Sequence, residues 1–272
     1  MIESFVLKLV TGISLMWLTM PRKEVTDGFF RIQMLVALGL SVLLVLLVQP
    51  VSPSAQAAAL QQVQPVSDAP FGSVRTQATT DVLRITQILV AVIAYGGHIV
   101  WKLGRRVPGA VAIYSVAGLC LLGLATASLN GQFSGNAIQL FLSSITSAAV
   151  LGATLTGMLL GHWYLTTPTM SIGPLSWFTK ALAVAAIGRM LMTCLSLGRF
   201  GFVSHDVVHL LWLFVRILGG ILVPLVTAVV VSRILRFRNT QSATGVLFAA
   251  LILVFMGEMM AALLERDLRI PY

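Results

Sequence analysis

Acidic residues are scarce in this chain. Asp and Glu together number nine among 272 residues, and charged residues of both signs make up only 10%. Soluble globular domains carry roughly 25% charged residues. Hydrophobic residues reach 57%, and the mean hydropathy is +0.94. So few polar groups cannot cover the surface of a water-soluble domain of this size, which excludes a soluble fold. The shortage of carboxylates also excludes a two-metal hydrolase, whose ions need several of them.

Cysteine is nearly absent too. Cys120 and Cys194 both lie in apolar stretches and form no C-x-x-C pair, so neither a disulfide framework nor a thiolate metal site is expected. There is no phosphate-cradling glycine loop, no H-E-x-x-H and no G-x-S-x-G. The net charge of +9 sits in short segments between apolar runs. That pattern is a topology signal and not a basic recognition face, so no nucleic-acid partner is expected.

What the chain has in abundance is long apolar runs. About 20 such residues cross the hydrocarbon layer as a helix. Eight runs qualify, near 4–20, 30–49, 82–101, 108–128, 138–162, 175–197, 206–235 and 242–264. They predict an all-α polytopic transmembrane bundle, a single membrane domain over 1–272 in contact with membrane lipid. The first run is the weakest, being short and holding Lys8, whose stem can snorkel to a headgroup. The seventh is long enough to tilt or to project from the membrane.

Connections are short except for 50–81, a stretch rich in Pro, Gln, Ser, Ala and Thr, with a short interfacial helix expected at 54–63. Ser54-Ala55-Gln56-Ala57-Ala58 resembles the tail of a signal peptide. Another apolar run and a charged loop precede it, however, so 30–49 is expected to be a second membrane helix.

Orientation follows from the basic residues of the short connections. Arg22, Lys23 and Arg31 belong to the first, Lys102, Arg105 and Arg106 to the third, and Arg233, Arg236 and Arg238 to the seventh. The opposite side has Arg75, Arg84 and Arg199. Odd connections are therefore expected inside a bacterial cytoplasmic (inner) membrane, with loop 50–81 and both termini outside. Trp17, Trp101, Trp163 and Trp177 would sit at the inner interface, where amphipathic rings collect.

Ionisable residues at membrane depth are the strongest functional signal, because each is costly there unless paired or wet. His205, His209, Trp212 and Arg216 are spaced by four, three and four, which puts them on one face of the seventh helix. Arg189 on the sixth helix, with Thr193 and Ser196 on its face, and Glu258 on the eighth reach a similar depth in the outer half. Two readings stand side by side: a buried Arg–Glu salt bridge that fixes packing, or a polar site. The site would take an anionic or quinone-like ligand, or carry protons from His205 through His209 toward Glu258.

A second cluster lies near the inner side. His98 and His162 follow Gly97 and Gly161 near the ends of two helices. Paired histidines on separate helices, with small neighbours, are what a b-type haem requires. A quinone or headgroup contact fits the same residues, as do histidines with ordinary hydrogen bonds. The stretch from His162, Trp163 and Tyr164 to Pro174 is positioned to fold over an interfacial ligand, and Arg236 and Arg238 to hold lipid headgroups. Ser143, Ser147, Thr154, Gly157 and Gly161 form a small-residue stripe suited to close helix contact, with a water-lined pathway as the alternative. Gly219-Gly220 before Pro224 predicts a kink in the seventh helix.

The leading functional expectation is a membrane subunit binding b-type haem or quinone in an electron-transfer assembly with other membrane or periplasmic subunits. A small-solute or ion transporter and a non-catalytic scaffold are the alternatives.

Overall fold

The computed structural model describes residues 1–48, 77–129, 137–167, 170–201, 206–268 and 270. Among them the chain is helical with no strand, and eight helices are long and apolar enough to cross a membrane. We number them α1 (Ile2–Thr19), α2 (Asp27–Leu47), α3 (Gln77–Lys102), α4 (Arg106–Leu129), α5 (Ala137–Thr166) and α6 (Gly173–Phe200). The seventh span is α7 (Val207–Ile217), a π turn (Leu218–Leu222) and α8 (Val223–Arg236); the eighth is α9 (Thr240–Leu268). The protein is an integral membrane helical bundle.

Helices run past the ends of the apolar runs because intrahelical hydrogen bonds satisfy the backbone in lipid and water alike. The clearest case is α3, which begins at Gln77. Residues 77–81, expected in the outer loop, are its first turns; the rest of that loop, with its expected interfacial helix, lies outside the described residues.

The shortest span is the most enclosed. In α1 61% of the spanning window is buried, against 33–50% in the other seven. Low hydropathy costs α1 little because it faces α2, α4 and α5 rather than lipid. Its tightest contact is with α5: a Cβ on Gly12 would lie 1.9 Å from the Ala148 carbonyl oxygen, and one on Gly152 2.1 Å from Gly12 C. Only glycine permits that approach. The small-residue stripe of α5 thus has a counterpart in α1, with further contacts of Gly157 to Phe178 and Gly161 to Thr244.

Sorting by amphipathic character misplaces two tryptophans. Trp17 is fully buried and Trp101 is 5% exposed. Trp101 stacks on Phe30 with centroids 4.6 Å apart and covers Gly109, so it serves the core and not a headgroup layer. Arginines of the same end are engaged by protein. Arg22 Nη2 donates to the Tyr114 hydroxyl at 2.6 Å, and Arg106 Nε lies 3.0 Å from Asp27 Oδ1.

Candidate functional site

Five helices converge on one buried ionic network in the half of the bundle away from the basic loops. Arg189 lies 11 residues from the end of α6, Arg216 nine from the start of α7, and Glu258 ten from the end of α9. At 1.5 Å per residue each is about 14–16 Å deep. Their exposures are 0%, 0% and 3%. Oε1 of Glu258 is 2.9 Å from Arg216 Nη1 and 3.3 Å from Arg189 Nε. The Ser147 hydroxyl donates to Oε2.

The guanidinium of Arg189 also donates to the hydroxyl and carbonyl of Ser143, at 2.7 and 3.3 Å. Its Nη2 is 3.8 Å from Oε1 of Glu265, whose other oxygen is 3.1 Å from Lys8 Nζ. Lys8 does not snorkel; it is buried and paired. Arg216 Nη2 donates to Thr193 Oγ1 at 3.5 Å, while Arg216 Nε is buried without an acceptor. Among the described residues, three buried cations thus face two buried carboxylates.

Local backbone shapes the centre. Arg216 ends just before the π turn, where Gly219 and Gly220 cross Gly257 of α9. A Cβ on Gly257 would lie 2.3 Å from Gly220 N, and one on Gly220 would lie 2.0 Å from Arg216 Nη1. Both glycines are needed for the guanidinium to reach Glu258. Pro224, which cannot donate to the ladder, is the second residue after it, and the π turn takes the place of the simple kink the sequence suggests.

A polar track leads from this centre to the helix ends. On α5, Gln139, Ser143 and Ser147 repeat every four residues; on α6, Arg189, Thr193, Ser196 and Arg199 share a face. Gln139 donates to Ser196 Oγ at 3.3 Å and accepts from Arg199 Nη1 at 3.2 Å. Thr193 Oγ1 donates to the Arg189 carbonyl at 3.0 Å.

The expected outer cluster therefore divides. Arg189, Arg216 and Glu258 come together. His209 does not join them; its Nε2 is 3.6 Å from Asp267 Oδ2, and its ring meets Trp212 edge-on at 5.2 Å. Trp212 packs with Leu264 and Ile270. His205 lies outside the described residues.

His98 and His162 lie on α3 and α5, two helices that share no extensive packing. His98 Nδ1 donates to the Arg31 carbonyl at 3.1 Å. His162 is exposed. The neighbouring Trp163 donates to Thr26 Oγ1 at 2.8 Å and meets Phe29 edge-on. Tyr164, expected at the lipid interface, is buried and donates to the Ser171 carbonyl, while Ser171 Oγ donates to Glu24 at 2.6 Å. This loop is thus tied to the start of α2. Arg236 and Arg238 are exposed, as headgroup contact requires. Arg238 takes φ 55°, and Asn239 caps α9 by accepting from Ser242 N at 3.0 Å.

Sequence reasoning missed Lys8 and Glu265 as members of the site, and placed Ser143 and Ser147 in a packing stripe, or a water-lined path, without linking them to the charges. One signal was present: Glu265 follows Glu258 by seven residues, two turns along one face.

Comparison with protein-family models, curated proteins and solved structures finds no match. The site's chemistry is the only guide to function.

Proposed function

We propose that this protein binds a small anion inside the membrane and passes it across, with Arg189 and Arg216 as the recognising groups and Glu258 as the internal counter-charge that the anion competes with. The observation that carries this reading is a buried guanidinium nitrogen, Arg216 Nε, left without an acceptor beside a second buried arginine. Lys8, Arg189 and Arg216 share Glu258 and Glu265, and Arg216 Nε is buried without an acceptor. A buried donor left without an acceptor costs about 1–3 kcal/mol, and more on a charged group. An entering anion supplies the missing acceptor. The track through Gln139, Ser196 and Thr193 supports entry from the end opposite the basic loops. A π turn beside the site supports a mobile element there, since such turns recur at functional positions.

Residence in a bacterial cytoplasmic membrane, with the basic connections inward, is part of the same proposal and rests on the arginine-rich loops. The electron-transfer reading receives less support, because His162 is exposed and its helix shares no extensive packing with the helix of His98.

The test is thermal unfolding of the purified protein in detergent at constant ionic strength, with gluconate exchanged for chloride, formate or acetate. A ligand present at 100 times its Kd stabilises the folded state by about 2.7 kcal/mol. At least one anion should raise Tm, and Arg216→Gln should remove that response while Arg238→Gln keeps it. A Tm indifferent to the anion, or an unchanged response in Arg216→Gln, overturns the proposal.

A further inference from the structure

Between α5 and α6, at the end opposite the basic loops, lies a groove of about 330 Å³ lined by Ile138, Gln139, Leu142, Met192, Leu195 and Arg199. That is the lower end of the size range of ligand pockets. Its two polar residues belong to one rim. Arg199 and Gln139 are joined at 3.2 Å near the helix ends, whereas Leu142 and Met192 lie about a turn or two deeper. Leu142 and Leu195 are 42% and 57% exposed, so the groove opens sideways. The Arg199 guanidinium is exposed, lies 5.5 Å over the Phe200 ring, and pairs with no carboxylate among the described residues.

We infer that this groove holds one anionic phospholipid of the adjacent leaflet, its phosphate on Arg199 and one acyl chain along Ile138, Leu142, Met192 and Leu195. Charge complementarity selects the headgroup. Polarity selects the orientation, because the cation stands at the helix ends and the carbon surface runs inward, as in a leaflet lipid. A small soluble anion would leave the apolar floor uncovered. The same Gln139 side chain opens the polar track, so the bound lipid stands beside the entrance to the buried network. The site is independent of whether that network binds an anion.

The experiment is native mass spectrometry of the whole protein extracted from vesicles of equal phosphatidylglycerol and phosphatidylcholine. One phosphatidylglycerol should be retained in preference to phosphatidylcholine. Arg199→Gln should cut that preference about fivefold, the worth of one arginine at a membrane surface. Leu142→Trp should fill the groove and lose the retained lipid of either headgroup. Soluble glycerol 3-phosphate should not displace it. Equal retention of the two lipids, a preference unchanged in Arg199→Gln, displacement by glycerol 3-phosphate, or a dimer with the groove occupied by a second copy overturns the inference. Arg199→Gln alters an exposed residue, and a normal unfolding temperature checks that the variant is folded.

Discussion

Arg216 and Glu258 meet at 2.9 Å in a place where neither touches lipid or solvent, on two helices that cross at glycine. Buried pairs of this kind are far more costly to break than they are worth to make. Removing one partner leaves the other charged and without compensation. Glu258→Gln strands two guanidiniums and should destabilise the protein by about 3–5 kcal/mol. The loss should appear as a lower Tm and a smaller monodisperse fraction after extraction.

Lys8 and Glu265 form the outlying pair of the network, at 3.1 Å. Lys8→Met alone leaves Glu265 with only the longer 3.8 Å contact to Arg189. Glu265→Leu should cost about 0.5–3 kcal/mol less in the Lys8→Met background than in the wild type, the usual coupling between side chains in contact. A denaturation cycle over the four proteins checks the sign. Additive effects would mean that the two side chains do not interact.

Gly220 separates packing from charge placement. In Gly220→Ala the new methyl meets the Arg216 guanidinium, and overpacking of this kind costs about 1–3 kcal/mol. The anion response should weaken with it. Gly118→Ala, where a Cβ meets nothing within 4 Å, should be close to neutral. Similar Tm values for the two variants would show that the crossing tolerates a side chain.

The α1–α5 contact gives a second steric test. Gly152→Ala places a methyl 2.1 Å from the backbone of Gly12, where no flexible side chain can give way. The helices must separate, at a cost of about 1–3 kcal/mol. Cross-linking of cysteines introduced on α1 and α5 should fall in this variant. Unchanged cross-linking would mean that the two helices are held together elsewhere.

Tyr164→Phe removes the hydroxyl that donates to the Ser171 carbonyl. The net loss should be about 1 kcal/mol, the usual worth of one such bond. Its effect should be local, as faster hydrogen exchange over 170–173 with Tm nearly unchanged. A cooperative loss of the whole bundle would show that the hydroxyl supports the core around Tyr164 and not only the loop.

Much of the fold was legible because lipid imposes simple rules. Apolar length and short basic connections give eight spans and their alternation without any tertiary information. Part of the site was legible for the same reason. Arg189, Arg216 and Glu258 stand out because charge at membrane depth demands a partner, and these are neighbours in depth if not in sequence. His209 shows the limit, since spacing puts it on the face of Arg216 but cannot say that Asp267 waits at its own level. The histidines 98 and 162 show it again. Their depth was readable, but the partner of each depends on which helices lie side by side.

Lys8 is the sharpest division between the two kinds of information. Its sequence context determines that a charge occurs in a weakly apolar run, and it suggests a side chain reaching for water. The tertiary structure decided otherwise by placing α1 at the centre of the bundle, where its Gly12 meets Gly152 and its lysine meets Glu265. Hydropathy records how each helix would fare against lipid. Which helix is spared from lipid, and which charges then share a site, depends on packing between segments far apart in the chain.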